Sequence, residues 1–534
     1  MTGPRKIAAR RRMADAPAVL VALDAMTDRP LHRQVYDGLR DAILAGRLPA
    51  GARLPSTRSL AADLGVARNT VTIAFDQLRA EGYIIGRRGG GTRVRPATPD
   101  AMLHVRRSAS ARVPPATSRA PSGATSPQAR LSARGAAFVA AGGGTGLREA
   151  SPPPPFRLGV PAVDAFPTEL WARLTARRWR GGHVHLGEGH AAGDPALRAA
   201  IAEYVANARG ARCTASQVFV VNGALQALDL VARVLIDRGD DVWVEDPGYI
   251  DARVPLTDAG ARLVPVPVDG EGLNVTAGER AAPNARLAYV TPSHQFPLGA
   301  VMSAPRRLAL LSWARRAKAW VFEDDYDSEF RYSGRPLPCL QGLDAERRGP
   351  GDEACVLYAG TFSKTLAPGF RLGYLILPDA LVDAFRAARR LLDRFAPTLE
   401  QGVLADFMGE GHYARHVRRV RTLYAERQET LIAAGTSELD GVLRLAPDAA
   451  GLHLVGWLPP GVKDVDAARA AGVEGVEVSP LSRYSLAPPD GSAPGGLLLN
   501  YAAFDRRAIR AGARALRRAL DGAARPLLDN QSEP

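Results

Sequence analysis

Short apolar runs alternate with stretches of helical periodicity from Phe156 onward. Seven of these runs are predicted to be strands: QVFVV, DVWVEDP, RLVPVP, RLAYVTP, AWVFEDD, CVLYAG and LGYLILP. Strands that alternate with helices are typical of a mostly parallel sheet with helices on its faces. The pattern therefore predicts an α/β domain, which we place at residues 156–525.

The first hundred residues show another pattern, of short helices followed by two short strands. Four apolar residues at helical spacing predict a first helix that Gly46 closes: Leu31, Val35, Leu39 and Ile43. Ser56 is a good N-cap for a second helix, TRSLAADLG, which ends at Gly65. A third helix, RNTVTIAFDQLRAEG, has one apolar stripe formed by Val71, Phe75 and Leu78. YIIGRRGGGTRVR then predicts two strands around a glycine turn.

Two short helices joined by a tight turn are typical of a helix-turn-helix. In that motif the second helix enters the major groove of DNA, and its first residues contact base edges. Here those first residues are polar: Arg68, Asn69 and Thr70. The alternative is a three-helix protein-interaction domain with a solvated polar face, but the basic strand pair favours DNA. We therefore predict a DNA-binding winged helix over residues 20–95.

The charge of the chain is unevenly distributed. Its net charge is +14, and residues 1–107 alone carry a surplus of ten positive charges. A positive field concentrated in one segment favours a polyanionic partner. Residues 1–19 are predicted to form a disordered basic arm. Residues 96–155, rich in Pro, Ala and Ser and poor in large apolar residues, are predicted to form a flexible linker.

Cysteine usage and hydropathy exclude several classes of protein. Cys213, Cys339 and Cys355 are far apart and lack the spacing of metal ligands. No apolar run approaches the ~20 residues that a membrane span needs. The sequence predicts a cytoplasmic protein without a disulfide, a metal site or a membrane contact.

The segment LPSTRSLAADLGVARNTVTIAFDQLRAEGYI resembles the winged helix of GntR-family transcription regulators over nearly its whole length. The resemblance implies that double-stranded promoter DNA is the partner of this domain. It also implies that DNA contacts come from the region of the second helix, from the start of the third and from the wing: Arg53, Ser56, Thr57, Arg58, Arg68, Asn69, Thr70 and Gly90.

Lys364 lies in GTFSKTLAPGFRLGY, a turn rich in hydroxyl residues after the predicted strand CVLYAG. A lysine becomes a Schiff-base partner when its pKa falls and a carbonyl is held beside it. An aldehyde cofactor with a phosphate needs hydroxyls and a cation nearby, which Thr361, Ser363 and Arg371 supply. The alternative is an ordinary surface lysine.

Three further features favour a cofactor site. Asp324, in FEDDYDSEF after a predicted strand, is the candidate for keeping a pyridine nitrogen protonated, with Tyr326 for the ring hydroxyl. Gly223 and Ala224 open a helix after the strand QVFVV, where free backbone N–H groups bind phosphate. Tyr249 in EDPGY is the flat group that would sandwich the ring. Each feature alone also occurs in solvated turns and ordinary loops.

As a set, NGALQAL, EDPGY, FEDDYDSEF and GTFSKTLAPGFRLGY resemble the fold-type I aminotransferases, from about Phe156 to Phe504. The resemblance implies pyridoxal 5'-phosphate as cofactor, with Lys364 as the Schiff-base lysine. It also implies an arginine for the carboxylate of a substrate or effector, for which Arg483 is the candidate. One departure is HQFPLG in place of the usual HNPTG. Phe296 thus replaces an asparagine that would reach the ring hydroxyl, and we consider His294 and Gln295 as its partial substitutes.

The order of these parts resembles the MocR subfamily of GntR regulators: an N-terminal winged helix-turn-helix, a linker and a C-terminal aminotransferase-like domain. The resemblance implies a homodimeric transcription regulator whose large domain senses pyridoxal phosphate or an amino compound. It suggests control of genes for vitamin B6, amino-acid or GABA metabolism. The alternative is a working aminotransferase with an appended DNA-binding domain. Phe296 and the intact helix-turn-helix favour the regulator.

Overall fold

The computed structural model describes four stretches of the chain. They are residues 21–96 except 22, 25–26, 28 and 88–90; residues 131–142; residues 152–486 except 183–186 and 335–337; and residues 495–529. Contacts between Cα atoms divide the chain into two compact units, residues 1–128 and 129–534. The predicted arm at 1–19 lies outside the described residues, as does most of the predicted linker, and the predicted domain boundaries stay predictions. None of the described helices is both long and apolar enough to cross a bilayer.

The N-terminal unit has three helices and a two-stranded wing. The helices are α1 (Leu31–Leu44), α2 (Thr57–Leu64) and α3 (Arg68–Ala80); the strands β1 (Ile84–Arg87) and β2 (Gly91–Val94) pair antiparallel. The predicted apolar stripes are buried at six positions: Val35, Leu39, Ile43, Val71, Phe75 and Leu78. Leu31, the first residue of α1, lies outside this core. Its side chain is 44% exposed, because the core covers α1 only from Val35 onward.

The turns of this unit follow the predicted chemistry. The hydroxyl of Ser56 accepts a hydrogen bond of 3.0 Å from the backbone N–H of Ser59 and so caps α2. Gly65 ends α2 with φ at 66°, in the left-handed region that glycine adopts without strain. The chain then enters α3 at Arg68, so the predicted helix-turn-helix is confirmed.

An eight-stranded sheet forms the centre of the larger unit. Its strands are β3 (Val218–Val221), β4 (Asp241–Asp246), β5 (Arg262–Asp269), β6 (Gly272–Leu273), β7 (Leu287–Val290), β8 (Trp320–Asp325), β9 (Val356–Thr361) and β10 (Gly373–Ile376). Their order is β3-β10-β9-β8-β7-β4-β5-β6. From β9 to β5 all neighbours are parallel, whereas β10 is antiparallel to both β3 and β9. The seven predicted strands and the mostly parallel sheet are confirmed.

Helices cover both faces of this sheet because successive side chains of a strand point to opposite sides. In β4, for example, Val242 and Val244 pack in the cluster that contains α7, whereas Trp243 packs on the other face and stacks on Trp313 of α10 at 3.7 Å between ring centroids. The helices are α5 (Thr168–Arg180), α6 (Pro195–Arg209), α7 (Ala224–Leu235), α8 (Ile250–Ala259), α9 (Val275–Ala281), α10 (Ala304–Ala317), α11 (Leu340–Arg347), α12 (Val382–Leu392), α13 (Thr398–Gly409) and α14 (His412–Glu438).

A smaller sheet and two helices complete the unit at its C-terminal end. Strands β11 (His453–Trp457), β12 (Ser479–Pro480) and β13 (Gly496–Asn500) are antiparallel in the order β11-β13-β12. Helices α15 (Asp464–Val473) and α16 (Arg506–Asp529) pack together, and α14 also contacts α16. Phe156 is fully buried in this core, and its carbonyl accepts a hydrogen bond of 3.1 Å from the N–H of Asn500.

A helix lies inside the segment for which the sequence predicts a flexible linker. This helix, α4 (Ala133–Gly142), belongs to the larger unit and contacts α8. Its sequence ARGAAFVAAG is rich in alanine, the residue with the highest helix propensity, and Arg134 pairs with Asp258 of α8. The segment predicted as a flexible linker thus contains a helix at residues 133–142, which the prediction missed because it rests on apolar content and not on helix propensity.

Candidate functional site

A cavity of about 1070 Å³ lies where the strands of the large sheet end. Carboxyl ends of parallel strands meet at one edge of a sheet, and the loops that leave them form the usual ligand site. The predicted positions all line this cavity, although they come from five separate loops: Gly223, Ala224, Tyr249, Asp324, Tyr326, Thr361, Ser363, Lys364, Arg371 and Arg483. Their individual roles remain predictions.

Lys364 follows β9 in the turn that holds its amine at the cavity. The Nζ atom donates a hydrogen bond of 2.9 Å to the carbonyl oxygen of Gly159. Burial lowers the pKa of Lys364, and the carboxylates of Asp327 and Asp324 oppose this shift without cancelling it. A lowered pKa increases the fraction of the amine that is neutral, which is the nucleophilic form.

Asp324 at the end of β8 has one satisfied and one unsatisfied oxygen. Its Oδ2 accepts a hydrogen bond of 2.7 Å from the hydroxyl of Tyr289. Its buried Oδ1 has no hydrogen-bond partner in the part of the chain that the structure describes. Burial raises the pKa of Asp324 to about 6, partly offset by the Tyr289 hydrogen bond. A buried acceptor of this kind is suited to a protonated ring nitrogen.

The start of α7 and Arg371 form a set of groups suited to an anion. Gly223 has φ at 114°, so a side chain would be strained there, and a Cβ would lie 3.6 Å from Nη2 of Arg371. The backbone N–H groups that open α7 are therefore close to a guanidinium. The hydroxyl of Thr361 accepts a hydrogen bond of 3.1 Å from the N–H of Ser363, which fixes the turn before Lys364.

Aromatic rings surround Phe296 at the cavity. The ring of Phe296 makes edge-to-face contacts at centroid distances of 5.2–6.0 Å with four others: Tyr249, Tyr326, His453 and Tyr484. Tyr249 directs its hydroxyl to Asp251 at 3.1 Å. Where the common motif offers a polar amide, this chain thus presents an apolar ring that is fixed on several sides.

His294 and Gln295, the two predicted substitutes for the asparagine, differ in their contacts. The amide nitrogen of Gln295 donates to Glu245 at 3.2 Å and to the carbonyls of Pro247 and Phe296 at 2.9 and 2.6 Å. The amide nitrogen of Gln295 therefore makes its hydrogen bonds to neighbouring protein groups and not to the cavity. Nδ1 of His294 lies 3.1 Å from the hydroxyl of Tyr326, so His294 contacts a side chain of the cavity wall, whereas Gln295 contacts the wall only through the backbone carbonyl of Phe296.

His294 also joins the large sheet to the C-terminal part of the unit. Its Nδ1 lies 2.8 Å from Asp327 and its Nε2 lies 3.3 Å from Asp448, which precedes β11. Burial alone would lower the pKa of His294, but the two carboxylates outweigh it and raise the pKa to about 10. The imidazole is therefore a buried cation at neutral pH. No sequence pattern pairs residues 294 and 448, which are far apart in the chain.

Three further residues of the site were missed by sequence reasoning. Arg469 of α15 lines the cavity with Arg483 and pairs with Asp466 at 2.9 Å, so the cavity has a second candidate cation for a carboxylate. The side-chain amide of Asn500 donates hydrogen bonds to the carbonyls of Arg157 and Val160 at 2.7 and 2.9 Å. These bonds hold residues 157–160, a strap that contains Gly159. Glu245 accepts from the N–H and hydroxyl of Thr291 and supports the Phe296 loop. Glu245 and Asn500 are polar residues near strand ends and Arg469 is an arginine on a helix, and both patterns are too common to be diagnostic.

The predicted DNA-contacting residues lie on the N-terminal unit around α2, α3 and the wing. Arg53, Arg58, Arg68 and Asn69 are exposed, and Thr57 and Thr70 are half-buried. The guanidinium of Arg53 lies beside Gly91, so this residue belongs with the wing. Ser56 is occupied as the cap of α2, which leaves only its hydroxyl hydrogen for a phosphate. Gly90 lies outside the described residues.

Among the described residues, no group of three or more His, Cys, Asp or Glu side chains is placed to hold a metal ion. Cys339 and Cys355 are buried, and Cys213 is half-buried. Burial raises the pKa of Cys213 to about 11, so this thiol remains protonated at neutral pH.

Comparisons with known proteins match both units. The family described as "Aminotransferase class I and II" matches residues 181–516, and "Bacterial regulatory proteins, gntR family" matches residues 31–94. The chain is 42% identical over 501 residues to the "probable rhizopine catabolism regulatory protein MocR" of Rhizobium meliloti, covering 94% of this chain and 96% of that protein. It is 30% identical to the pyridoxine biosynthesis transcriptional regulator PdxR of Corynebacterium glutamicum, covering 93% and 97%.

A solved structure matches the larger unit alone. The α-aminoadipate aminotransferase LysN of Thermus thermophilus, complexed with N-(5'-phosphopyridoxyl)-L-leucine, is 31% identical, with a TM-score of 0.63 over 70% of this chain and 92% of that one. A GntR-type winged helix fused to a fold-type I aminotransferase domain defines the class of the protein as a DNA-binding regulator with an enzyme-derived domain. The chain belongs to the MocR subfamily of GntR-family transcription regulators.

Proposed function

We propose that the protein is a transcription regulator that binds promoter DNA and whose large unit binds pyridoxal 5'-phosphate as a sensor. The observation that carries the proposal is the unpartnered Oδ1 of Asp324 on the cavity wall. A buried carboxylate oxygen without a partner costs free energy unless a ligand supplies a donor. LysN, which shares the fold, is complexed with a phosphopyridoxyl compound, and this supports the same ligand class.

The residues present fit the cofactor at three points. Lys364 would form the covalent link, Asp324 would accept from the ring nitrogen, and the start of α7 with Arg371 would hold the phosphate. When bound, the cofactor supplies an aldehyde that reacts with amines and a ring that withdraws electrons. The chain's own contribution is to lower the pKa of Lys364 by burial, to orient Asp324 through Tyr289 and to line the cavity with aromatic rings.

We propose that the effector is pyridoxal phosphate itself or an amino compound with a carboxylate. Arg483 and Arg469 are the two arginines at the cavity, besides Arg371, that suit a carboxylate. An effector can alter DNA affinity only if it interacts differently with two states of the protein. By their names, MocR and PdxR regulate rhizopine catabolism and pyridoxine biosynthesis, so genes for amine catabolism or vitamin B6 are candidate targets.

The second candidate function is a working aminotransferase, which the similarity to LysN favours. The contacts of Phe296 argue against efficient turnover, since a packed ring replaces a polar group near the candidate position of the cofactor's ring hydroxyl. We also propose a homodimer in the cytoplasm, which suits a regulator of promoter DNA.

The proposed function is tested by mixing the protein with pyridoxal phosphate and then with amino and keto acids. An absorbance band at about 420 nm, with one spectral change on amine addition and altered retardation of promoter DNA, supports the sensor. Sustained formation of new keto acid supports the enzyme. Protein that binds promoter DNA but never gains the band lacks the proposed sensor.

A further inference from the structure

Helix α8 connects the cavity to the segment that leads back to the DNA-binding unit. Tyr249 and Asp251, at its N-terminal end, line the cavity. Asp258, in its last turn, is held by Arg134 of α4. A helix of ten residues is about 15 Å long, so a single short element has one end at the cavity and the other at α4.

The contact between Arg134 and Asp258 has the geometry of a specific anchor. The guanidinium of Arg134 binds both carboxylate oxygens of Asp258, with Nη2 2.8 Å from Oδ2 and 3.2 Å from the backbone carbonyl. The side chain of Asp258 is only 8% exposed, whereas that of Arg134 is 59% exposed. Arg134 therefore covers a carboxylate at the C-terminal end of α8, where the helix dipole also favours a cation.

The other end of α8 is attached to the segment that carries Arg483. The carbonyl of Tyr484 accepts hydrogen bonds from the guanidinium of Arg253 in α8 and, at 3.0 Å, from the N–H of Gly248. The ring of Tyr249 packs edge-on against Phe296. An occupant that contacts Tyr249, or that moves the Arg483–Tyr484 turn, therefore acts on the first turn of α8 through direct contacts.

We propose that the end of α8 around Asp258 is a docking surface for helix α4, which binds it through Arg134, and that an occupant of the cavity changes how firmly α4 is held. In the sequence only residues 97–130 separate the described wing segment from the segment that contains α4. Docking of α4 therefore determines the length of the segment that tethers the DNA-binding unit to the large unit. The trigger rests on the proposed function, whereas the docking surface does not.

Amide hydrogen exchange of residues 131–142 in the full-length protein tests the docking surface. Asp258→Asn keeps the shape and removes the charge, and we expect roughly tenfold faster exchange in this segment. Asp229→Asn is the matched control. Asp229 lines the same surface groove as Arg134 and Asp258 but pairs with Arg233 at 2.8 Å, so exchange should stay at the wild-type rate. The double variant Arg134→Asp/Asp258→Arg exchanges the two partners, and slow exchange in it supports docking through this ion pair. Equal exchange rates in wild type and Asp258→Asn overturn the docking proposal.

Coupling to the cavity is tested by adding pyridoxal phosphate and recording two signals from one sample. Absorbance at about 420 nm reports occupancy, and exchange of residues 131–142 reports the docking of α4. We expect occupancy to change this exchange severalfold in the wild type. In Arg253→Ala the absorbance should remain while the change in exchange is lost. Absorbance without any change at 131–142 overturns the coupling alone. Absence of the band counts against the proposed function and the coupling together, and the Asp258→Asn comparison still decides the docking.

Discussion

The hydroxyl of Tyr289 donates a hydrogen bond of 2.7 Å to Oδ2 of Asp324, and Oδ1 of that carboxylate has no partner among the described residues. The hydrogen bond fixes the orientation of the carboxylate and leaves the second oxygen for a ligand. With its pKa raised to about 6, chiefly by burial, the group carries a charge that is costly at this buried position. The buried carboxylate of Asp324 therefore lowers the stability of the fold, and the same carboxylate provides a binding position for a cationic group.

Asp324→Asn should stabilise the apo form of the protein while weakening the binding of the cofactor. Folding raises this pKa from 3.8 to about 6, so the carboxyl group's contribution to stability is full at low pH and is lost as the pH rises through about 6. Since asparagine does not ionise, we expect the variant to be more stable than wild type at pH 8 by roughly 1–3 kcal/mol, with a smaller difference at pH 4. Urea unfolding of the full chain measures both values.

The control for this prediction is Asp383→Asn, because the side chain of Asp383 is 93% exposed. We expect no pH-dependent change in its free energy of unfolding. A variant at position 324 that is less stable than wild type at pH 8 would contradict the assignment of a destabilising charge. Affinity for pyridoxal phosphate should fall about tenfold or more in Asp324→Asn and stay unchanged in the control.

His294→Gln should destabilise the protein strongly at neutral pH and less in alkali. Removal of one member of a buried ion pair costs about 3–5 kcal/mol, because Asp327 and Asp448 are left without their cation. Folding raises the pKa of His294 from 6.5 to about 10, so its stabilisation is full below 6.5 and is lost as the pH rises through 10. The difference from wild type in urea should therefore shrink between pH 7 and pH 10. A difference that stays constant would mean that the imidazole is neutral; exposed His190 gives the matched variant.

Phe296→Asn should weaken the fold and not create an efficient aminotransferase. The half-buried ring of Phe296 packs against four others, so its loss is expected to cost about 1–3 kcal/mol. Phe296→Leu, which stays apolar, should lose less. Thermal unfolding and assays for keto acid formation measure the two consequences. Rapid turnover in Phe296→Asn at unchanged stability would show that one side chain separates regulator from enzyme.

Variants at Ser56 and Arg68 should separate folding from DNA recognition. Ser56→Ala removes the cap of α2 and should lower stability by about 1 kcal/mol. Ser56→Asp keeps a capping oxygen but adds a negative charge, so it should retain stability and still weaken DNA binding.

Arg68→Ala, at the exposed start of α3, should weaken specific binding by about 1–3 kcal/mol. Gel retardation at one fixed salt concentration measures this loss. Arg79→Ala, at the other end of the same helix, is the control. Equal retardation by the Arg68 and Arg79 variants would remove Arg68 from the recognition surface.

Local chemistry made much of this structure predictable. Buried parallel strands appear in the sequence as apolar runs. Ser56 and Gly65 indicate the two ends of α2, because serine caps the start of a helix and glycine adopts the left-handed conformation at its end. Lys364 and Asp324 follow such strands directly, and the carboxyl ends of parallel strands meet at one edge. This is why their convergence on one cavity could be predicted before any tertiary contact was known.

Contacts between distant segments could not be predicted in this way. The pairing of His294 with Asp448 and the hold of Asn500 on the strap at 157–160 depend on how the C-terminal part packs on the sheet. Helix α4 was missed because its surroundings have the composition of a linker; its alanine content favours a helix, but its contact with Asp258 depends on tertiary packing. The exposure of Leu31 depends likewise on where the core ends, and periodicity does not encode that.

Reduction of the protein with borohydride in the presence of pyridoxal phosphate, followed by peptide mass mapping, tests the central claim most directly. The chain has only four lysines, Lys6, Lys318, Lys364 and Lys463, so the assignment is unambiguous. Lys318 and Lys463 are exposed and serve as internal controls. The account predicts one phosphopyridoxyl group per chain, at Lys364, and none in Lys364→Ala. An unmodified Lys364, or an adduct that forms equally at the exposed lysines, would contradict it.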